Sequence, residues 1–169
     1  LAAMESASAY DVLRDLAVDK RRPLADRMTA VHLLVEGDLV NSLSTVEQII
    51  DEEWAVENSR LLDTTVKALV ATSSTELAPV YERLLSHPNY IIRIYAIRGI
   101  GRSGLTEFGE EIQRIEAESS ADIMRSNALA TLDLLGLEPL ADEEEAADAD
   151  LENTPDEGGV TPAVPDAAP

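Results

Sequence analysis

Apolar residues recur at three- and four-residue steps through most of this chain, the spacing of one face of an α-helix. Four nine-residue segments share one pattern: Asp26 to Leu34, Leu61 to Leu69, Ile92 to Ile100 and Met124 to Leu132. Their fifth positions (Ala30, Thr65, Ala96, Ala128) are small and fall at intervals of 35, 31 and 32 residues. Their sixth and ninth positions are always apolar: Val31/Leu34, Val66/Leu69, Ile97/Ile100 and Leu129/Leu132. A small residue beside such a pair lets a neighbouring helix approach closely. Upstream of each segment lies another apolar stripe. The stripes are Ala9, Val12, Leu13, Leu16; Val46, Ile49, Ile50 with Trp54; Leu77, Val80, Leu84, Leu85; and Phe108, Ile112, Ile115. Turn-forming residues separate the stripes: Glu36-Gly37-Asp38, Ser73-Ser74, His87-Pro88-Asn89, Gly101-Arg102-Ser103-Gly104, Ser119-Ser120 and Gly136. The chain therefore predicts four helix–turn–helix units, each about 31 to 35 residues long. One such hairpin cannot bury the apolar faces of both its helices, so the units must stack. Asp11, Arg14 and Asp15 at the start, and the acidic stretch from Glu138, are expected to cap the ends.

The third unit carries Ile92-Arg93, then Ala96-Ile97, then Gly99-Ile100-Gly101. This run resembles the second-helix signature of the HEAT-repeat family. The arginine recurs as Arg27 and Arg125; Leu62 replaces it in the second unit, and Asp26 stands where an apolar residue is usual in the first. The resemblance covers about residues 6 to 137 and is strongest in the third and fourth units. It implies an all-α fold, an α-solenoid of about four HEAT-like repeats within residues 1–140, with the second helices lining a concave surface. It also implies a non-catalytic protein–protein scaffold or adaptor. The same family offers two alternatives: an accessory or lyase-type enzyme component, and a nucleic-acid-associated protein.

Composition supports the helical reading. Aromatics make up only 4% of the chain against 45% apolar residues, so the core must be aliphatic, a mix that suits helices better than strands. The net charge of −20 changes the functional picture more. Residues 141–169 hold ten acids and no base, while all 13 bases lie in residues 1–140. An acidic, Pro- and Gly-containing tail from 141 to 169 is expected to be disordered, with a frayed helix possible over 138–151. Such a field repels phosphate backbones and anionic membranes and favours basic partners or high salt. No nucleic acid is expected as partner. No run is apolar and long enough to cross a membrane as a helix. Residence in the cytoplasm is expected; the start at Leu1 rather than Met leaves a signal or anchor upstream, and hence an extracytoplasmic location, as the alternative.

Little in the chain suggests catalysis. With no Cys, thiolate chemistry and disulfides are excluded. His32 and His87 lack metal-ligand spacing, and His87 before Pro88 reads as an exposed turn residue. Acid runs such as Asp51-Glu52-Glu53 read as solvated helix faces. Gly99 to Gly104 ends a helix rather than opening one, so it is a C-cap and not a phosphate loop. No cofactor is expected. Lys20-Arg21-Arg22 reads as a basic loop.

The candidate site is instead a row. The seventh positions of the four segments are His32, Lys67, Arg98 and Ala130; the third positions are Met28, Asp63, Ile94 and Ser126. Both are expected to project from the buried stripe and to align across units. Arg102 extends the row and Tyr95 adds an aromatic neighbour. His32, Lys67, Ile94, Tyr95, Arg98 and Arg102 are thus the candidate partner-binding residues, suited to an acidic or extended peptide. The acidic tail is a second candidate occupant, through an intrachain contact. Lys67 and Asp63, four residues apart, also suit a simple surface ion pair of about 0.2–0.5 kcal/mol.

Overall fold

A computed structural model describes residues 2–140, with side chains from residue 9 onward. Residues 141–169 lie outside the described residues, and with them the expected acidic tail and most of its frayed helix; residues 138–140 are not helical. The compact unit ends at Pro139.

Eight α-helices make up the fold: α1 (Ala2–Val18), α2 (Leu24–Gly37), α3 (Leu39–Glu53), α4 (Arg60–Thr72), α5 (Ala78–Leu85), α6 (Tyr90–Ser103), α7 (Gly109–Glu118) and α8 (Asp122–Leu135). Short 3-10 turns, Thr75–Leu77 and Thr106–Phe108, lead into α5 and α7. No strand occurs among the described residues. Several boundaries carry clear caps. Ser59 accepts from the Leu62 N–H at the start of α4, and Asn89 accepts from the Ile91 N–H at the start of α6. Gly104 and Gly136 close α6 and α8 in the left-handed conformation, with φ of 66° and 70°. The helix α6 runs through Gly101 and Ser103, so the turn expected over 101–104 contracts to Gly104 alone.

The helices pack as successive pairs. Each even-numbered helix also packs against the even-numbered helix of the next pair, in the order α2, α4, α6, α8. The small fifth-position residues Ala30, Thr65, Ala96 and Ala128 are all buried at 0–1% exposure. The apolar sixth and ninth positions are buried in the first three units. In α8 Leu132 is buried but Leu129 is 39% exposed, and among the described residues no further helix packs beyond α8. The expected stripe in α1 holds in part: Leu13 and Leu16 pack on the core, Ala9 and Val12 are exposed, and Tyr10 and Ala17 take their places.

Close approach between neighbours rests on a few contacts. The ring of Tyr81, fully buried in α5, lies over Gly99 of α6, where any Cβ would sit deep inside its van der Waals surface. Across α6 and α8 the Thr131 hydroxyl donates to the Ile97 carbonyl at 3.1 Å. Burial pushes the Tyr81 phenol up to about 12, against the opposing influence of the nearby Ser103 hydroxyl.

The recurring arginine has a structural role. Arg27 is 7% exposed, and its Nε donates to the Ala17 carbonyl at 2.9 Å, in the last turn of α1. Arg93 donates to the His87 carbonyl just past α5 at 3.1 Å. Arg125 lies 3.8 Å from Glu116 near the end of α7. In each pair the second helix thus reaches back to the electronegative end of the first. The second pair, which has Leu62 at this position, uses Ser59 instead: its hydroxyl donates to Glu53, the last residue of α3, at 2.7 Å.

Replacing Gly99 by Ala tests the helix approach. The gain in helix propensity is about 1 kcal/mol, but overpacking against an immobile ring costs more, typically about 1–3 kcal/mol. Urea denaturation is expected to show net destabilisation, relieved by adding Tyr81→Leu; an unchanged or raised midpoint in the single variant would contradict the packing described.

Candidate partner-binding face

The predicted row lies on the exposed side of α2, α4 and α6. His32, Lys67, Arg98 and Arg102 are exposed and Tyr95 is half-buried. Ile94 departs from expectation: it is 6% exposed and belongs to the core. Its position, third in the segment, turns toward the next second helix. Met28 and Asp63 at that position are half-buried, while Ser126, on the last helix, is exposed.

Some of the row is brought together. His32 and Lys67 share a shallow groove of about 410 Å³ between α2 and α4, with Met28, Arg60, Asp63 and Thr64 among its walls. Lys67 Nζ bonds Asp63 at 2.8 Å and stands 5.4 Å from the centre of the Tyr95 ring, reaching from α4 to α6. The Asp63 carboxylate, followed by the Tyr95 hydroxyl, holds the ammonium above its usual range. Arg102 reaches the Ser73 hydroxyl at 3.4 Å, and His32 lies 3.3 Å from Glu36. Lys67 is thus partly committed to its own surface.

Arg60 is the residue that the pattern missed. It opens α4 one position before the repeated segment, seven residues before Lys67 and hence on the same helix face. It lines the groove with His32, an adjoining one of about 440 Å³ with Leu24 and Met28, and a cleft of about 210 Å³ toward Asn89 and Ile92. Among the described residues, Arg60 and Arg98 are the two basic side chains with neither an ion pair nor a hydrogen bond. The bases of the α1–α2 loop, by contrast, are engaged: Lys20 pairs with Glu52 at 3.1 Å, and Arg21 and Arg22 pair with Asp19. Hydrogen bonds from the Arg21 side chain and backbone pull Asp19 down to about 2.

His87 is not the exposed turn residue expected from the following proline. It is 3% exposed, and its ring meets Trp54 edge-on at 4.5 Å between centres. Nδ1 accepts from the Asn89 N–H at 3.0 Å, so the proton resides on Nε2, which is buried near the Trp54 backbone without a hydrogen bond of normal geometry. The turn folds inward because Trp54, at the end of α3, offers an aromatic wall there. The acidic tail, the other candidate occupant of the row, lies outside the described residues.

In comparisons with protein-family models, curated proteins and solved structures, the chain matches none of them.

Burial first, aided by the Arg93 charge, lowers the His87 pKa below its ordinary value of 6.5, while hydrogen bonds at Asn89 and Trp54 oppose it. The unfolded chain then binds a proton at higher pH than the folded one. Stability is therefore expected to fall as pH drops from about 6.5 toward the lower folded value. Urea midpoints at pH 7.5 and 5 should differ less in His87→Asn, whose side-chain oxygen can replace Nδ1 as acceptor. An equal drop in both proteins would dissociate His87 from the effect.

Proposed function

We propose that the four helix pairs form a HEAT-like α-solenoid that serves as a protein-binding scaffold, with the exposed face of α2, α4 and α6 as its docking surface. The observation that carries this reading is the pair of uncommitted arginines on that face. In a chain with 33 acids and 13 bases, most cations find a carboxylate, yet among the described residues Arg60 and Arg98 have none. They flank Lys67 and His32 beside shallow grooves that suit an extended acidic segment. The succession α2, α4, α6, α8 and the arginine link that recurs within three of the helix pairs support the solenoid. The pairing of the Lys20-Arg21-Arg22 loop with its own carboxylates weighs against nucleic acid as the partner class.

The probe is a fluorescein-labelled acidic peptide, Ser-Glu-Asp-Glu-Phe-Glu-Asp-Glu-Ser, titrated with the full chain. Binding is expected to weaken with salt and to weaken about tenfold or more in the Lys67→Glu, Arg98→Glu double variant. Circular dichroism controls for the like-charge pair then formed with Asp63. No binding by the wild type, or equal affinity in the double variant with intact helicity, would overturn the proposal.

A further inference from the structure

Beyond the row lies a cleft that the repeated pattern gave no reason to expect. It holds about 460 Å³ between the α3–α4 turn and the start of α6. Its walls include Trp54, Val56, Asn58, His87, Pro88 and Tyr90. Val56 and Tyr90, 49% and 50% exposed, stand together at its wall, so both are open to a bound side chain. Asn58, His87 and Val56 also line the smaller cleft of about 210 Å³, whose far wall includes Arg60. Arg60 in turn borders the groove that holds His32 and Lys67. The three depressions thus share lining residues in succession, from the α3–α4 turn to the second-helix face.

The cleft is already rigid. Trp54 is held on one side by Arg83, whose guanidinium stacks 4.8 Å from the ring centre and pairs with Asp51. The His87 edge holds it on another side, and the Asn89 N–H fixes His87 in turn. A preformed aromatic wall binds a side chain at low ordering cost.

We infer that this cleft is an anchor pocket for one bulky apolar side chain of an acidic peptide, and that Arg60 receives a neighbouring carboxylate of the same peptide. The inference rests on the scaffold reading above and names the chemistry of its partner. Charge assigns the two subsites. Glu57 borders the larger cleft and disfavours a carboxylate within it. In the smaller cleft the acid present, Asp63, is neutralised by Lys67, which leaves Arg60 as the uncommitted cation. Arg60 offers a planar fork suited to a carboxylate.

Trp54 is the sole tryptophan of the chain, so its emission reports on the cleft directly. Unlabelled Ser-Glu-Asp-Glu-Phe-Glu-Asp-Glu-Ser should change that emission in step with the anisotropy of its labelled form. The matched peptide with Gly in place of Phe should bind about tenfold more weakly and leave the emission unchanged. Val56→Asp and Tyr90→Ala, at half-exposed positions, should abolish the preference for Phe; Arg60→Gln should weaken both peptides. If both peptides bind equally, and Lys67→Glu, Arg98→Glu weakens them while Val56→Asp and Arg60→Gln do not, the anchor pocket is wrong and the scaffold reading stands. If neither peptide binds, both fail. Emission that tracks protein concentration instead of peptide would give the cleft to a second copy of the chain and overturn the inference.

Discussion

The close approach of successive second helices is the constraint on which the rest of the structure depends. Ala30, Thr65, Ala96 and Ala128 are buried at the same position of each second helix, and Gly101 of α6 meets Thr131 and Leu134 of α8. Larger side chains there would push the helices apart and expose the aliphatic faces on either side. With one Phe, one Trp and four Tyr in the chain, the core has few large residues with which to fill such gaps. Its stability must come from many close aliphatic contacts, which lose dispersion energy steeply when the spacing opens.

Much of this was legible in the sequence because it is periodic. The fifth, sixth and ninth positions repeat, and the structure buries them as a repeat requires. Legibility failed where a position depends on a neighbour from another unit. Ile94 occupies the same register as exposed Ser126, yet it is buried, because α8 packs beside α6 while among the described residues no helix packs beyond α8. His87 was misread because a proline suggested an exposed turn. The side chain that draws it inward, Trp54, lies 33 residues earlier on another pair. Arg60 was missed because it sits one residue outside the repeated segment, although its spacing to Lys67 placed it on the same face. No reading of a single helix reveals that three grooves meet at Arg60.

The arginine at the second position of three of the four motifs illustrates a separate point. On the sequence it looks like a surface cation or part of a family signature. In the structure Arg27 and Arg93 bond to backbone carbonyls at the ends of α1 and α5, where helices leave acceptors unsatisfied. That interaction fixes how each second helix departs from the first. The second pair achieves the same link with Ser59 and Glu53, so Leu62 does not leave a gap. Conserving the link while changing the residue is possible because the requirement is a donor at one place, not a charge.

Charge itself then separates structure from recognition. Where acids outnumber bases so strongly, a cation without a carboxylate is the less expected state. Arg27 and Arg93 are occupied by the fold, Lys67 is shared between Asp63 and Tyr95, and the loop bases are paired. The cations left over lie on the second-helix face, next to the depressions that run toward Trp54. An acidic partner binding there would displace only water from Arg60 and Arg98, whereas at any paired base it would have to compete with a carboxylate already in place. On the proposed reading, recognition at this face would depend less on how many cations the row holds than on which of them the described fold leaves unpaired.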